Sequence, residues 1–152
     1  MKLAEALILR ADYQKRVEQL NERLMRNSKI QEGDTAAEEP QELLKELDDL
    51  FGKLETLIKQ ISKTNAKTSF DHEKSLAEAL IERDMVGKKR KVLSELLDSG
   101  TFRHDRFSRS EVKYISTFDI KRTQIRVDDL SKQYRKIDTK IQEINWQTEL
   151  LK

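Results

Sequence analysis

Along this chain, apolar residues recur at alternating steps of three and four, the spacing that keeps one face of an α-helix dry. The first such line is Leu3, Ala6, Tyr13, Val17, Leu20 and Leu24, with Arg10 as its one charged member. It predicts a helix over residues 3–28. The following segment, NSKIQEGDTAAEEP, has no period and contains Gly33 and Pro40, so it reads as a loop. Pro40 suits the first turn of a second helix, where its missing N–H would have had no partner. Leu43, Leu47, Leu50, Leu54, Leu57 and Ile61 then carry that helix over residues 40–65. Leu44, Phe51 and Ile58 lie beside this line and widen it, which suits a helix packed against more than one neighbour.

A third helix is predicted over residues 75–99. Ser75 with Glu78 matches a capping box, Leu76, Leu80 and Ile81 open the helix, and Val92, Leu93, Leu96 and Leu97 close it before Gly100. Its middle, ERDMVGKKRK, is polar and includes Gly87, which costs about 1 kcal/mol relative to alanine inside a helix. The fourth helix, residues 118–151, has the clearest heptad: Ile120, Val127, Leu130, Tyr134, Ile137, Ile141, Ile144 and Leu151, with Thr123 and Thr148 filling the seam. Ser116, Thr117 or Asp119 would cap its start. Between the last two helices, FRHDRFSRSEVKYIST ends in a weak two-residue alternation. That predicts a small two-stranded β patch pairing residues 112–117 with 29–32. The fold class expected is therefore all-α, an antiparallel bundle of four long helices with coiled-coil-like seams.

Composition strengthens this picture. Charged residues make up 38% of the chain, while glycine occurs four times and proline once, so turns are few and the elements must be long. A length of 152 residues fits one helical domain over 1–152. The chain has no cysteine, which excludes disulfides, thiolate catalysis and cysteine-based metal sites. Near the start, the apolar run Leu7 to Leu9 is short and flanked by charges, unlike a signal peptide. No run approaches the roughly 20 apolar residues of a membrane span, so a cytoplasmic protein without integral membrane association is expected.

Charge is unevenly spread. Residues 30–50 hold eight acids against Lys45, whereas residues 83–122 hold eleven lysines and arginines against six acids. Opposite patches on one chain favour docking within the fold or between its copies. Nucleic-acid binders are more often basic overall, and the net charge here is +2.

The segments MKLAEALILRAD, NSKIQEGD, ERD, DRFSRSEVKYIST and YRKIDTKIQEINWQTELL together resemble the septicolysin-like family of short bacterial proteins, nearly end to end. The resemblance implies a bacterial origin and a mostly helical fold. The family label also implies a cytolysin or pore former, and it transfers no catalytic residue.

Several residues stand out chemically. Arg103, Arg106 and Arg109, with the run Lys88, Lys89, Arg90 and Lys91, form a candidate anion or nucleic-acid contact. The competing reading is that Phe102 and Phe107 plug one end of the bundle while the arginines pair locally; the lysine run points in several directions on a helix. His72 with Asp71 and Glu73, and His104 with Asp105, are adjacent pairs whose side chains diverge, so no metal or cofactor is expected. No glycine-rich phosphate loop or nucleophile elbow is present, no small-molecule substrate is indicated, and an enzyme is not expected. Arg10, on an apolar seam, needs a partner; Glu82 or Asp84 would make a buried ionic layer that fixes register. Ile125 and Trp146, three heptads apart on the outer side of the fourth helix, mark a second apolar face, which with Phe51 and Leu150 forms a candidate oligomer interface. The primary expectation is a self-associating structural or interaction protein. A nucleic-acid accessory protein using residues 83–122 is the alternative, and a pore former comes third.

Overall fold

A computed structural model describes residues 1–101 and 113–152. It is all-α, with α1 spanning Leu3–Arg26, α2 Pro40–Lys67, α3 Leu76–Gly100 and α4 Ile120–Gln147. The chain packs as two compact units, Met1–Ala77 with Gln142–Lys152, and Glu78–Ile141.

In the first unit α1 runs against α2. Leu20, Leu43 and Leu50 are buried together, with Tyr13, Val17, Leu24 and Leu47 packed around them. These are the residues at three-and-four spacing on the two helices. Burying that line is what holds a helix pair in water, since propensity alone supports only marginal helices. Leu54, Leu57 and Ile61 continue the buried line toward the end of α2.

The connection between α1 and α2 is tied down by polar groups rather than by core. Asn27, almost fully buried, donates from Nδ2 to the carbonyl of Arg23 at 2.8 Å and accepts the Glu38 N–H at Oδ1 at 3.0 Å. The Arg23 guanidinium grips Glu38 through Nε and Nη2, the shortest contact being 2.6 Å. The hydrogen bond from Arg23 is the main reason the Glu38 carboxyl is held below its ordinary range. Among the described residues Gly33 alone adopts a left-handed backbone, at φ 91°, where a side chain would clash with its own backbone.

Strand expectations fail in one respect. Residues 29–32 and 113–117 carry no strand; the remaining position of that patch, Val112, lies outside the described residues. Loop 27–39 is instead held by the bonds of Arg23 and Asn27 to Glu38 and by the Asp34 N–H donating to Gln31 O at 3.0 Å. Backbone bridges do occur elsewhere, at Lys2 with Glu149 and Ser69 with Ser75.

The first of these explains why α4 ends at Gln147 and not at 151. Past that point the chain turns extended: Thr148 accepts the Leu3 N–H at 2.9 Å, and the Leu150 N–H donates to Met1 O at 2.9 Å. The Leu151 N–H then donates to the hydroxyl of Thr64 at 3.0 Å, and that hydroxyl donates to Gln60 O at 2.7 Å. Thr64 is fully buried, so this hydroxyl is the acceptor for an amide that has no water to turn to. Thr64→Val keeps the shape and removes the acceptor. It should cost about 1–3 kcal/mol in urea unfolding, while Thr64→Ser should restore most of the loss.

Glu149 sits over the same junction, 2.7 Å from Lys2 Nζ. Hydrogen bonding from Lys2, then from the chain's amino group, lowers its carboxyl below the usual value of 4.5. A carboxyl lowered on folding stabilises the fold above its ordinary pKa, and the contribution fades as pH falls through the lowered value. The stability difference between the unaltered chain and Glu149→Gln should therefore be present at neutral pH and shrink on acidification below about 4.5.

In the second unit α3 runs against α4. Arg83 Nη1 donates to Asp138 Oδ1 at 2.8 Å, and Arg90 Nε donates to Ser131 Oγ at 2.6 Å. Between them, a Cβ on Gly87 would lie 3.1 Å from the ring of Tyr134. Each step up α3 is matched by a step down α4, which is antiparallel packing. Gly87 thus has a positive use that its helix propensity hides: it admits the Tyr134 ring. At the far end Gly100 is covered by Phe118, and Asp119 caps α4 by accepting the Arg122 N–H at 2.9 Å.

Candidate functional site

The buried face of α3 explains what its other faces offer. Leu76, Ala79, Val86 and Leu97 are buried, and three-and-four stepping along that line passes through Arg83 and Arg90. The inward face of α3 is thus partly ionic. Arg83 bonds Asp138 and, at 3.1 Å, Asp84, with Tyr134 beneath its guanidinium at 6.0 Å. Partial burial opposes its charge, but the bonds to Asp138 and Asp84 outweigh that and raise its pKa further. With the inward line so occupied, the remaining large apolar side chains of α3 point out. Ile81, Met85, Val92 and Leu96 are 63, 50, 62 and 40% exposed. Their steps of four, seven and four put them on one line about 22 Å long.

A second outward line runs along α2. Leu44, Phe51 and Ile58 follow one another at heptad spacing and are 42, 48 and 43% exposed. They sit beside the buried line of Leu43, Leu50, Leu54, Leu57 and Ile61, which is why α2 shows the wide apolar stripe seen in the sequence. Within the first unit, α1 covers only the buried line. Asp48 and Glu55, three before and four after Phe51, flank the line on its polar side, and Glu55 is paired with Lys59.

Of the residues expected at an oligomer interface, Phe51, Ile125 and Trp146 are each about half exposed. Leu150 is not: it lies half-buried in a groove of about 690 Å³ with Leu9, Tyr13, Gly52 and Leu57. The pairing of Thr148–Leu150 with the chain start puts it there. Periodicity missed the α3 line, because reading Leu76 with Ile81 and Val92 with Leu97 merges two faces. Splitting those residues by angle, at 100° each, separates them.

The charged candidates divide. Arg103, Arg106 and Arg109 lie outside the described residues. Lys88, Lys89, Arg90 and Lys91 are all exposed. Lys88 and Lys89 fill the gap between Met85 and Val92 on the outward line. Arg90 and Lys91 rim a depression with Ser131, Tyr134 and Arg135, and Lys91 pairs with Glu95 at 3.9 Å. Asp84 is bonded to Arg83, while Arg10 has a buried Nε that makes no hydrogen bond. Among the described residues no three acidic or imidazole groups converge, and no helix is long and apolar enough to cross a membrane.

The exposed lines on α2 and α3 are apolar, and the rim formed by Arg90, Lys91 and Arg135 is basic. No curated protein matches the chain. A crystal structure of a functionally unknown conserved protein from Corynebacterium diphtheriae is similar at 45% identity, with a TM-score of 0.93 over 99% of each chain. The model of a family of unknown function, DUF6847, matches residues 10–150. Nearly the whole chain is covered, and the protein belongs to that DUF6847 family.

Proposed function

We propose that this protein is a self-associating helical interaction module and not an enzyme. One observation carries the reading: large apolar side chains stand outward in lines at helical spacing on α2 and α3. Scattered exposed leucines mean little, but contiguous apolar lines on a chain this rich in charge mark contact surfaces. Trp146 and Ile125, each about half exposed on α4, add to the same surface inventory. Size-exclusion chromatography with light scattering tests it. The purified chain should elute as an oligomer whose absorbance is that of protein alone.

A second reading, nucleic-acid accessory binding, draws on the depression rimmed by Arg90, Lys91 and Arg135. The two guanidinium groups suit a phosphate backbone, although Lys91 beside them already pairs with Glu95 at 3.9 Å. It predicts an excess of absorbance at 260 nm in the purified protein and affinity for nucleic acid that falls steeply with salt.

A further inference from the structure

We infer that the depression between α3 and α4 takes up one unstacked nucleotide of a single-stranded nucleic acid, its base against Tyr134 and the flanking phosphates on Arg90 and Arg135. The inference rests on the nucleic-acid reading given second above and narrows it to a single strand. The cavity is about 520 Å³ and is lined by Gly87, Arg90, Lys91, Ser131, Tyr134 and Arg135, all in the second unit. That volume lies in the range of small-molecule sites.

Its aromatic wall is held from outside. Arg83 stands over the Tyr134 ring at 6.0 Å without lining the cavity, and is itself bonded to Asp138. At the ring's edge Gly87 leaves room that a side chain would take, since an added Cβ would lie 3.1 Å from Tyr134 Cε2. A part-buried ring in a recess cannot reach a base inside a duplex, where both faces of the base are already stacked. It can stack on a base that a single strand turns outward, and every base has such a face.

The rim supplies the backbone contact. Arg90 donates from Nε to Ser131 Oγ at 2.6 Å, which fixes the guanidinium at the cavity and leaves its Nη groups to donate elsewhere. Neither Arg90 nor Arg135 is in an ion pair among the described residues. The carboxylates on adjoining turns have partners: Asp84 and Asp138 bond Arg83, Glu95 pairs with Lys91, and Asp128 accepts the Gln124 amide. Lys91 is thus spoken for, and two guanidinium forks remain for phosphate oxygens.

Fluorescence anisotropy with a labelled oligonucleotide of about 16 residues, alone and annealed to its complement, tests this. The unaltered chain should bind the single strand roughly tenfold more tightly than the duplex, or better. Tyr134→Leu should weaken single-strand binding roughly five- to hundredfold, while Tyr134→Phe, which keeps the ring, should not. Arg135→Gln removes one phosphate contact, so the slope of log affinity against log salt should flatten by about 0.7. Arg135 is exposed, so that variant tests the site even where Tyr134→Leu disturbs folding, which circular dichroism reads. Duplex binding as tight as single-strand binding, or folded variants that bind like the unaltered chain, would overturn this inference and leave nucleic-acid binding standing. No binding of either oligonucleotide would overturn both.

Discussion

Phe51→Asp should turn the protein into monomers while leaving its helix content and melting behaviour close to those of the unaltered monomer. The side chain is 48% exposed and stands at the middle of the outward line of α2. Its loss removes little from the chain's own core, and surface changes away from special features stay within about 0.5 kcal/mol. At an interface the same change places a carboxylate in the centre of an apolar contact, beside Asp48 and Glu55. Central aromatic anchors typically contribute about 2 kcal/mol or more, so association should weaken by a factor of roughly thirty or greater. Light scattering reads the mass and circular dichroism the fold. A variant that stays oligomeric would place the contact elsewhere.

The opposite profile is expected for Ile141→Ala. Ile141 is fully buried at the end of the second unit and belongs to the apolar seam of α4. Truncating a buried isoleucine removes its transfer energy and leaves a cavity, together costing about 2–5 kcal/mol. For a chain of this size that lowers the melting temperature by roughly 5–15 °C. Folding suffers, and any change in association follows from that loss. The pair of variants therefore separates two kinds of apolar residue: Phe51, which the fold leaves half exposed, and Ile141, which it encloses.

That distinction marks where sequence reading succeeds and where it stops. The helices were legible because their buried lines are long and regular: Leu43 to Ile61 on α2 and Val127 to Ile141 on α4 are the cores that period analysis picks out. Helix starts are legible where chemistry marks them, at Pro40 and, less sharply, in α4, where Ser116, Thr117 and Asp119 all suit the cap and Asp119 takes it. The end of α4 was not, because its heptad runs on through Leu151 while the backbone leaves the helix to pair with Met1–Leu3. A pairing between residues so far apart in the chain has no local signal. The same holds for Thr64 and Asn27, polar residues whose burial depends on an amide arriving from elsewhere.

On α2, Phe51 broadens the apolar stripe beyond what one neighbour needs, and the fold leaves it half exposed. The line of Ile81, Met85, Val92 and Leu96 was hidden by its own neighbours, since α3 is apolar on two sides and the lysines at 88 and 89 interrupt one of them. Arg83 explains the ambiguity. The inward line of α3 passes through Arg83, which is only partly exposed and is satisfied by Asp138, so polarity there does not mean exposure. Conversely, the apolar residues opposite do not mean core.

Sedimentation equilibrium of the unaltered chain across the micromolar range tests the central claim most directly. The account predicts a mass that is a multiple of the 17.9 kDa chain and that falls toward it on dilution. A mass of 17.9 kDa throughout that range, with the outward lines of α2 and α3 facing only water, would contradict it.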